Sequence, residues 1–230
     1  MCSNYVPVTA SDRLLQHFGV ARDRDAGELP VDVWPSGVGP FIRLAEPGSG
    51  NKLALEDGRF GLVPPARAEM AAGQRERQGR GFHNARSETV HRLESFRNSW
   101  AEGLRCIIPA EAIYEPNYES GKHVRWSVRR PWPTPMGIAG IYRWSTFEDG
   151  TEGWTYAMLT VNADDHPFMR RFQKPEDEKR MVVILDEDEY GPWLQCPVAQ
   201  AKSFCRQWLG ELVGEPAPLP PRAGATGDLF

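Results

Sequence analysis

Cys2 directly follows the initiator methionine, so removal of Met1 would expose it as the N-terminal residue. An internal cysteine offers a thiol alone. An N-terminal cysteine offers a thiol and a primary amine on adjacent carbons. Their reference pKa values, about 8.5 and about 8, bring both within modest reach of the nucleophilic form at neutral pH. Such a 1,2-aminothiol condenses with an aldehyde: the amine forms a Schiff base, and the thiolate then closes a five-membered thiazolidine ring. The competing reading is a cysteine that merely happens to be second in the chain. The other cysteines carry less. Cys106, within the apolar run Cys106-Ile107-Ile108, reads as a buried core thiol, and Cys196 and Cys205 receive no role. No Cys-x-x-Cys spacing occurs, so neither a metal site nor any other cofactor is expected, and in a reducing compartment the thiols stay free.

The elements that must position this chemistry belong to an ordinary soluble chain. Its 230 residues are 40% apolar and 25% charged, enough for one domain with a sizeable core. No apolar run is long enough for a membrane span, and the start lacks the basic-then-apolar pattern of a secretory signal. A cytoplasmic monomer with no membrane partner is expected. The net charge of -4 does not advertise a nucleic-acid binder, but from Arg67 to Arg130 twelve Lys and Arg stand against eight Asp and Glu, while acid collects at Asp186 to Glu189. A basic face on an acidic protein is compatible with that asymmetry, as is a plain solvated surface.

Short runs rich in β-branched and aromatic residues recur: Phe41 to Leu44, Arg105 to Ile108, Arg125 to Val128, Gly137 to Tyr142, Tyr156 to Val161 and Met181 to Leu185. Helices are expected from a cap at Ser11 or Asp12 through Phe18, from Ser87 through Phe96, from Asp186 to Leu194 and from Val198 to Trp208. Many strands, scattered helices and no βαβ rhythm predict an α+β fold with a mostly antiparallel sheet. The compact unit is expected to span residues 1–209. The segment 210–230, rich in Pro and Gly, is expected to be an extended or disordered tail.

Four segments, taken in order, resemble one known family. Met1-Cys2-Ser3-Asn4-Tyr5 is similar to its Met-Cys opening, and Phe60-Gly61-Leu62-Val63-Pro64 to its Trp-Gly-Leu-x-Pro segment. Asn84-Ala85-Arg86-Ser87-Glu88-Thr89 matches an Asn-Ala-Arg-x-Glu-Thr motif. The run from Arg105 through Pro109-Ala110-Glu111-Ala112-Ile113-Tyr114-Glu115 matches an Arg-Cys-hydrophobic-Pro-Ala-x-x-aromatic-Glu motif. Thr160 to Leu185 resembles the family's last motif more loosely. The family is that of the SOS-response-associated peptidases, or SRAP proteins, which shield abasic sites. The resemblance implies a single α+β domain with a strongly bent, mostly antiparallel mixed sheet and a positively charged groove. It implies a thiazolidine crosslink between Cys2 and the ring-opened aldehyde of an abasic site in single-stranded DNA, formed in the DNA damage response, with self-removal of Met1 behind the name peptidase. Removal of Met1 by the chain itself or by an aminopeptidase, and crosslinking with or without lyase-type strand cleavage by β-elimination, are all compatible with the sequence.

The same resemblance distributes roles. Glu115 corresponds to a catalytic carboxylate, which would shuttle protons during Schiff-base formation if partly buried with a raised pKa. Asn84 corresponds to a pocket asparagine able to donate and accept at once. Arg86 corresponds to a phosphate clamp, and Thr160 is expected beside the pocket as a second phosphate contact. Gln173 stands where the family carries a histidine, followed by a short insertion from Lys174 to Glu178. Glutamine can hydrogen-bond but has no acid–base function near neutral pH, so His166, upstream, is a candidate substitute. Ser3-Asn4 replaces a frequent Gly-Arg, and Pro65-Ala66-Arg67 lacks an aromatic often found there, so weaker DNA binding is expected unless Phe60, Trp100 or Phe172 compensates. Two alternatives differ in class: an N-terminal-nucleophile amidohydrolase, and a non-catalytic single-stranded DNA or protein-interaction module.

Overall fold

The computed structural model of the chain describes residues 4–23, 25–45, 52–63 and 82–220. Its longest strand, β5 (Arg105–Asn117), organises the rest. The first half of β5 pairs with β7 (Met136–Thr146), which pairs with β8 (Glu152–Asn162), both antiparallel. β8 runs parallel to β3 (Leu53–Phe60) through Phe60↔Tyr156, β3 is antiparallel to β2 (Val38–Leu44), and β2 returns to β5 at Ile42↔Ile107. Five strands thus form a closed, barrel-like ring, and closure removes exposed edges. The mostly antiparallel mixed sheet expected from the sequence is present, its parallel pairings lying at β8.

Glycine makes one seam of this ring possible. Gly140 on β7 sits between Cys106 on β5 and Met158 on β8. A Cβ there would lie 2.4 Å from the Ile108 side chain and 2.7 Å from the Ala157 carbonyl oxygen. The interior is aromatic: Phe41 packs on Tyr156, Phe60 on Tyr156 and Tyr5 on Phe60, and the Tyr5 and Tyr156 hydroxyls meet at 2.5 Å. Each such ring contributes about 1.5–3 kcal/mol by burial, and one of the two buried hydroxyls donates to the other. Phe60, Trp100 and Phe172 belong to this core and do not compensate as stacking surfaces.

Past Ala110, β5 leaves the ring. It then carries β1 (Asn4–Pro7) along one edge, with Asn4 opposite Tyr114, and β6 (Val124–Arg129) along the other, with Glu115 opposite Trp126. β4 (Asn84–Arg86) runs parallel to β8, and β9 (Arg180–Val182) pairs with the end of β8. β10 (Ile184–Leu185) pairs with β7.

Helix α1 (Ser11–Phe18) forms where expected but is not capped by Ser11 or Asp12. Its N-cap is Ala10, the Ser11 hydroxyl exchanges hydrogen bonds with the Arg22 backbone, and Leu14 and Phe18 fix the helix by burial. The helix expected from Ser87 begins later, as α2 (Glu94–Ala101). Residues 87–93 instead turn on the Arg86 carbonyl, which accepts from Thr89 and Val90, while Glu88 reaches across to Arg180. The acidic run becomes a capping box from Asp186 to Glu189, a short 3-10 turn and α3 (Tyr190–Gln195). The last expected helix shortens to α4 (Val198–Ala201) plus a 3-10 turn. The sheet continues past Leu209: β11 (Val213–Pro216) pairs with β6, and Leu212 is buried beside it. Cys106 is buried, and burial raises its thiol pKa, as a core thiol requires. Among the described residues no helix is long and apolar enough to cross a membrane.

Candidate functional site

Glu115, near the end of β5, is 1% exposed. Burial pushes its carboxyl above the usual carboxylate range, and a hydrogen bond from Gln173 pulls the other way without reversing the shift. Gln173 Nε2 donates to Glu115 Oε2 at 3.2 Å. The orientation of that amide follows from its other bonds: the Arg180 backbone N–H donates to Gln173 Oε1 at 2.8 Å, and Gln173 Nε2 donates to the Arg180 carbonyl at 2.8 Å. An amide turned over would set two donors against each other, so the nitrogen faces the carboxyl. Gln173 also holds a left-handed backbone, φ 66°, pinned by its N–H to the Pro116 carbonyl at 2.6 Å and by the neighbouring Asn117–Phe172 bridge. Non-glycine residues adopt that conformation mainly where surrounding structure enforces it, commonly at working sites.

Arg180 joins this pair to a larger network. Its guanidinium is 2% exposed and donates to Glu88 at 2.9 and 3.0 Å, to Glu178 at 2.8 Å, and to the Thr160 carbonyl and hydroxyl at 2.8 and 3.1 Å. Burial alone would lower the Arg180 pKa, but the two carboxylates outweigh it and raise it. For Glu88 burial is the largest influence and pushes up, but the Arg180 hydrogen bonds and charge together with backbone hydrogen bonds outweigh it, leaving a lowered pKa. Glu178 continues outward to Arg86, at 2.7 Å between two partly exposed side chains. An unbroken path of polar contacts therefore runs from Glu115 through Gln173 and Arg180 to Thr160, Glu178 and Arg86.

Asn84 lies on β4 opposite Met158 and is buried, while Ala85 faces the core and Arg86, two residues on, reaches the surface. Thr160 is 1% exposed within β8, opposite Arg86 and Val182, with its hydroxyl engaged by Arg180 rather than lying open. His166 is committed elsewhere, which corrects its candidacy as a substitute for the missing imidazole. Its Nδ1 accepts the N–H groups of Phe168 and Met169 at 3.1 and 3.0 Å, and Nε2 meets the Trp208 carbonyl at 2.9 Å. Those partners require the neutral ring with its proton on Nε2, an arrangement that holds the turn before Gln173. Cys2 lies outside the described residues, as do Pro65-Ala66-Arg67. The glycine of the Phe60-Gly61-Leu62 segment has a local reason: Gly61 takes φ 128°, which side chains avoid, and its N–H donates to the Tyr156 carbonyl at the end of β3.

Arg180 and Glu178 escaped the sequence reading, which attended to the position of the missing histidine. The available signal was the charge cluster Glu176-Asp177-Glu178-Lys179-Arg180, dense for a segment entering an apolar strand. Chemically, a buried protonatable carboxyl beside a fixed amide donor can give and retake a proton, and a surface arginine two residues from a buried asparagine can hold an anion near it.

The sequence profile of the family described as SOS response associated peptidase (SRAP) matches residues 1–215, so the chain belongs to that family. Among curated relatives, "Abasic site processing protein YoaM" of Bacillus subtilis is 26% identical over 84% of this chain and 79% of its own length. "Abasic site processing protein HMCES" of Gallus gallus is 24% identical over 75% of this chain and 56% of its own length. A solved structure from Bordetella bronchiseptica superposes with a TM-score of 0.83 at 37% identity, covering 95% of this chain and 100% of that one. A second, from Bacteroides thetaiotaomicron, gives a TM-score of 0.71 at 18% identity over 93% of this chain and 90% of that one, a likeness of fold.

Proposed function

We propose that the chain binds single-stranded DNA and shields abasic sites by attaching Cys2 to them covalently. After removal of Met1, which the chain performs on itself, the Cys2 amine attacks the aldehyde carbon of the ring-opened deoxyribose. The carbinolamine loses one water to give a Schiff base. The Cys2 thiol then adds across the C=N bond, its sulfur bonding to the former aldehyde carbon and its proton ending on nitrogen. Closure of the thiazolidine consumes the iminium that β-elimination would need, so shielding prevails over strand cleavage. Glu115, kept protonatable by burial, protonates the departing hydroxyl and retakes protons from the nucleophiles. Asn84 positions the amine or a sugar hydroxyl, and Arg86 holds a backbone phosphate.

One observation carries this reading: the buried, hydrogen-bonded Glu115 stands next to Tyr114, the β5 partner of Asn4 at the described start of β1. The relatives named as abasic site processing proteins support the same substrate.

The test is a denaturing gel of the mature protein with single-stranded DNA holding one abasic site. A heat-stable shifted band, lost in Cys2→Ala and formed about a hundredfold more slowly in Glu115→Gln, is expected; no covalent band from the wild type refutes the reading. Gln173 offers no proton, so ring reopening lacks an acid–base partner that an imidazole would supply. Gln173→His is therefore expected to speed reversal of a preformed crosslink, measured by transfer to a competing abasic strand, and histidine tolerates the left-handed backbone there. Unchanged formation and reversal in that variant would remove the role assigned to position 173.

A further inference from the structure

A cavity of about 540 Å³ opens beside Glu115, walled by Trp34, Arg125, Pro218 and Leu219 and mostly apolar. Trp34 stands out in it. The indole is 41% exposed, yet the backbone carrying it is fixed on two sides. Val33 exchanges both backbone hydrogen bonds with Tyr5 of β1, and Asp32 accepts from Arg125 at 2.6 Å. The Arg125 guanidinium lies 3.2 Å from the Tyr114 ring centroid and 5.7 Å from that of Trp34, and it donates to the Ala217 carbonyl, which ties down the segment leading to Pro218 and Leu219. A large aromatic held this firmly and left two-fifths open to solvent is not explained by packing.

We propose that this cavity seats an unstacked nucleobase adjacent to the abasic sugar, with Trp34 as its stacking surface. The inference rests on the proposed reading and deepens it. The cavity shares Glu115 with the reaction site, and the Trp34 segment is bridged to β1, the strand that leads to Cys2. A base entering there meets Trp34, Pro116, Val124, Pro218 and Leu219, apolar surface against which a base can stack, with His123 also at the wall. Arg125 directs Nη2 at Asp32 and Nη1 at the Ala217 carbonyl, which fixes its guanidinium as a positive charge beside the ring. The aromatic residue absent from Pro65-Ala66-Arg67 would thus be replaced from the other side of the site.

The experiment uses the full chain and labelled single strands carrying tetrahydrofuran, a stable abasic analogue that cannot crosslink, with the base on its 5′ or 3′ neighbour either present or deleted. Fluorescence anisotropy is expected to give about tenfold tighter binding when the base on one side is present, whichever base it is. Trp34→Ala should erase that difference and leave binding of the base-deleted strand unchanged, while Trp34→Phe should retain most of it. A melting curve confirms that the variants fold. Equal binding of the two strands by wild type, no binding of either, or a difference that survives in Trp34→Ala overturns the proposal. A shift of the variant's sedimentation in place of its isotherms would assign the cavity to a protein partner and also overturn it. Because tetrahydrofuran forms no covalent bond, a failure of crosslinking is read separately on a true abasic strand.

Discussion

Glu115 carries an acid whose neutral form the fold prefers, and the sign of that preference sets a pH dependence. Its folded pKa is raised by burial, so the associated stability is fully present below the ordinary glutamate value of about 4.3 and is lost as pH rises through the raised value. Glu115→Gln removes the loss. Its melting temperature relative to wild type is therefore expected to climb between pH 4 and pH 8, measured by calorimetry at several pH values; a constant difference would contradict a raised pKa. Glu178 makes a second residue-scale case. Its bond to Arg86 joins two partly exposed groups, worth about 0–1 kcal/mol, so a phosphate can displace it but must first compete. Glu178→Gln is expected to tighten single-stranded DNA binding a few-fold at low salt, with the gain fading as salt screens it and absent in an Arg86→Ala background. Anisotropy titrations across a salt series check both features.

Elements answer to longer-range partners. The turn after β4, the end of β8 and the start of β9 are joined through one side chain, because Arg180 bonds Glu88, Thr160 and Glu178 together. Arg180→Met fills similar volume but leaves Glu88 without its countercharge and frees the turn. A loss of about 1–3 kcal/mol is expected from urea unfolding, because the buried Thr160 carbonyl loses its donor while the partly exposed carboxylates rehydrate, together with slower crosslinking as Gln173 loses a rigid backbone partner. The same contact explains why Ser87 does not open a helix: residues 87–93 must bend to present Glu88, and local helix propensity yields to its ion pair with the buried Arg180. β11 gives a converse case. Val213-Gly214-Glu215-Pro216 has weak strand propensity, yet it pairs with β6 because that edge needs backbone partners.

At the scale of the whole molecule, the ring of β5, β7, β8, β3 and β2 fixes where everything else can go. Its seam at Gly140 has no room for a methyl group between Ile108 and the Ala157 carbonyl. Gly140→Ala is expected to cost about 1–3 kcal/mol and to lower the urea midpoint without changing the site residues, since the strain falls on the ring rather than on the far end of β5. A midpoint equal to that of wild type would mean that the ring relaxes there more readily than its packing indicates.

Much of this architecture is local in origin, and local information is what a sequence displays. The runs of β-branched and aromatic residues at Arg105, Gly137 and Tyr156 became β5, β7 and β8, and the segment from Ser11 to Phe18 became α1, because side-chain shape and burial act on neighbours along the chain. Glu115 and Gln173 were both visible as candidates through motif and departure from motif. Their contact was not, since 58 residues separate them and only the fold brings a carboxyl and an amide to 3.2 Å. Likewise His166 reads as a catalytic option in sequence and becomes a backbone anchor once Trp208, 42 residues on, supplies a carbonyl. Residue types established which chemistry was possible; the closing of the sheet decided which of those residues meet, because burial, pKa and hydrogen-bond partners are properties of neighbours in space.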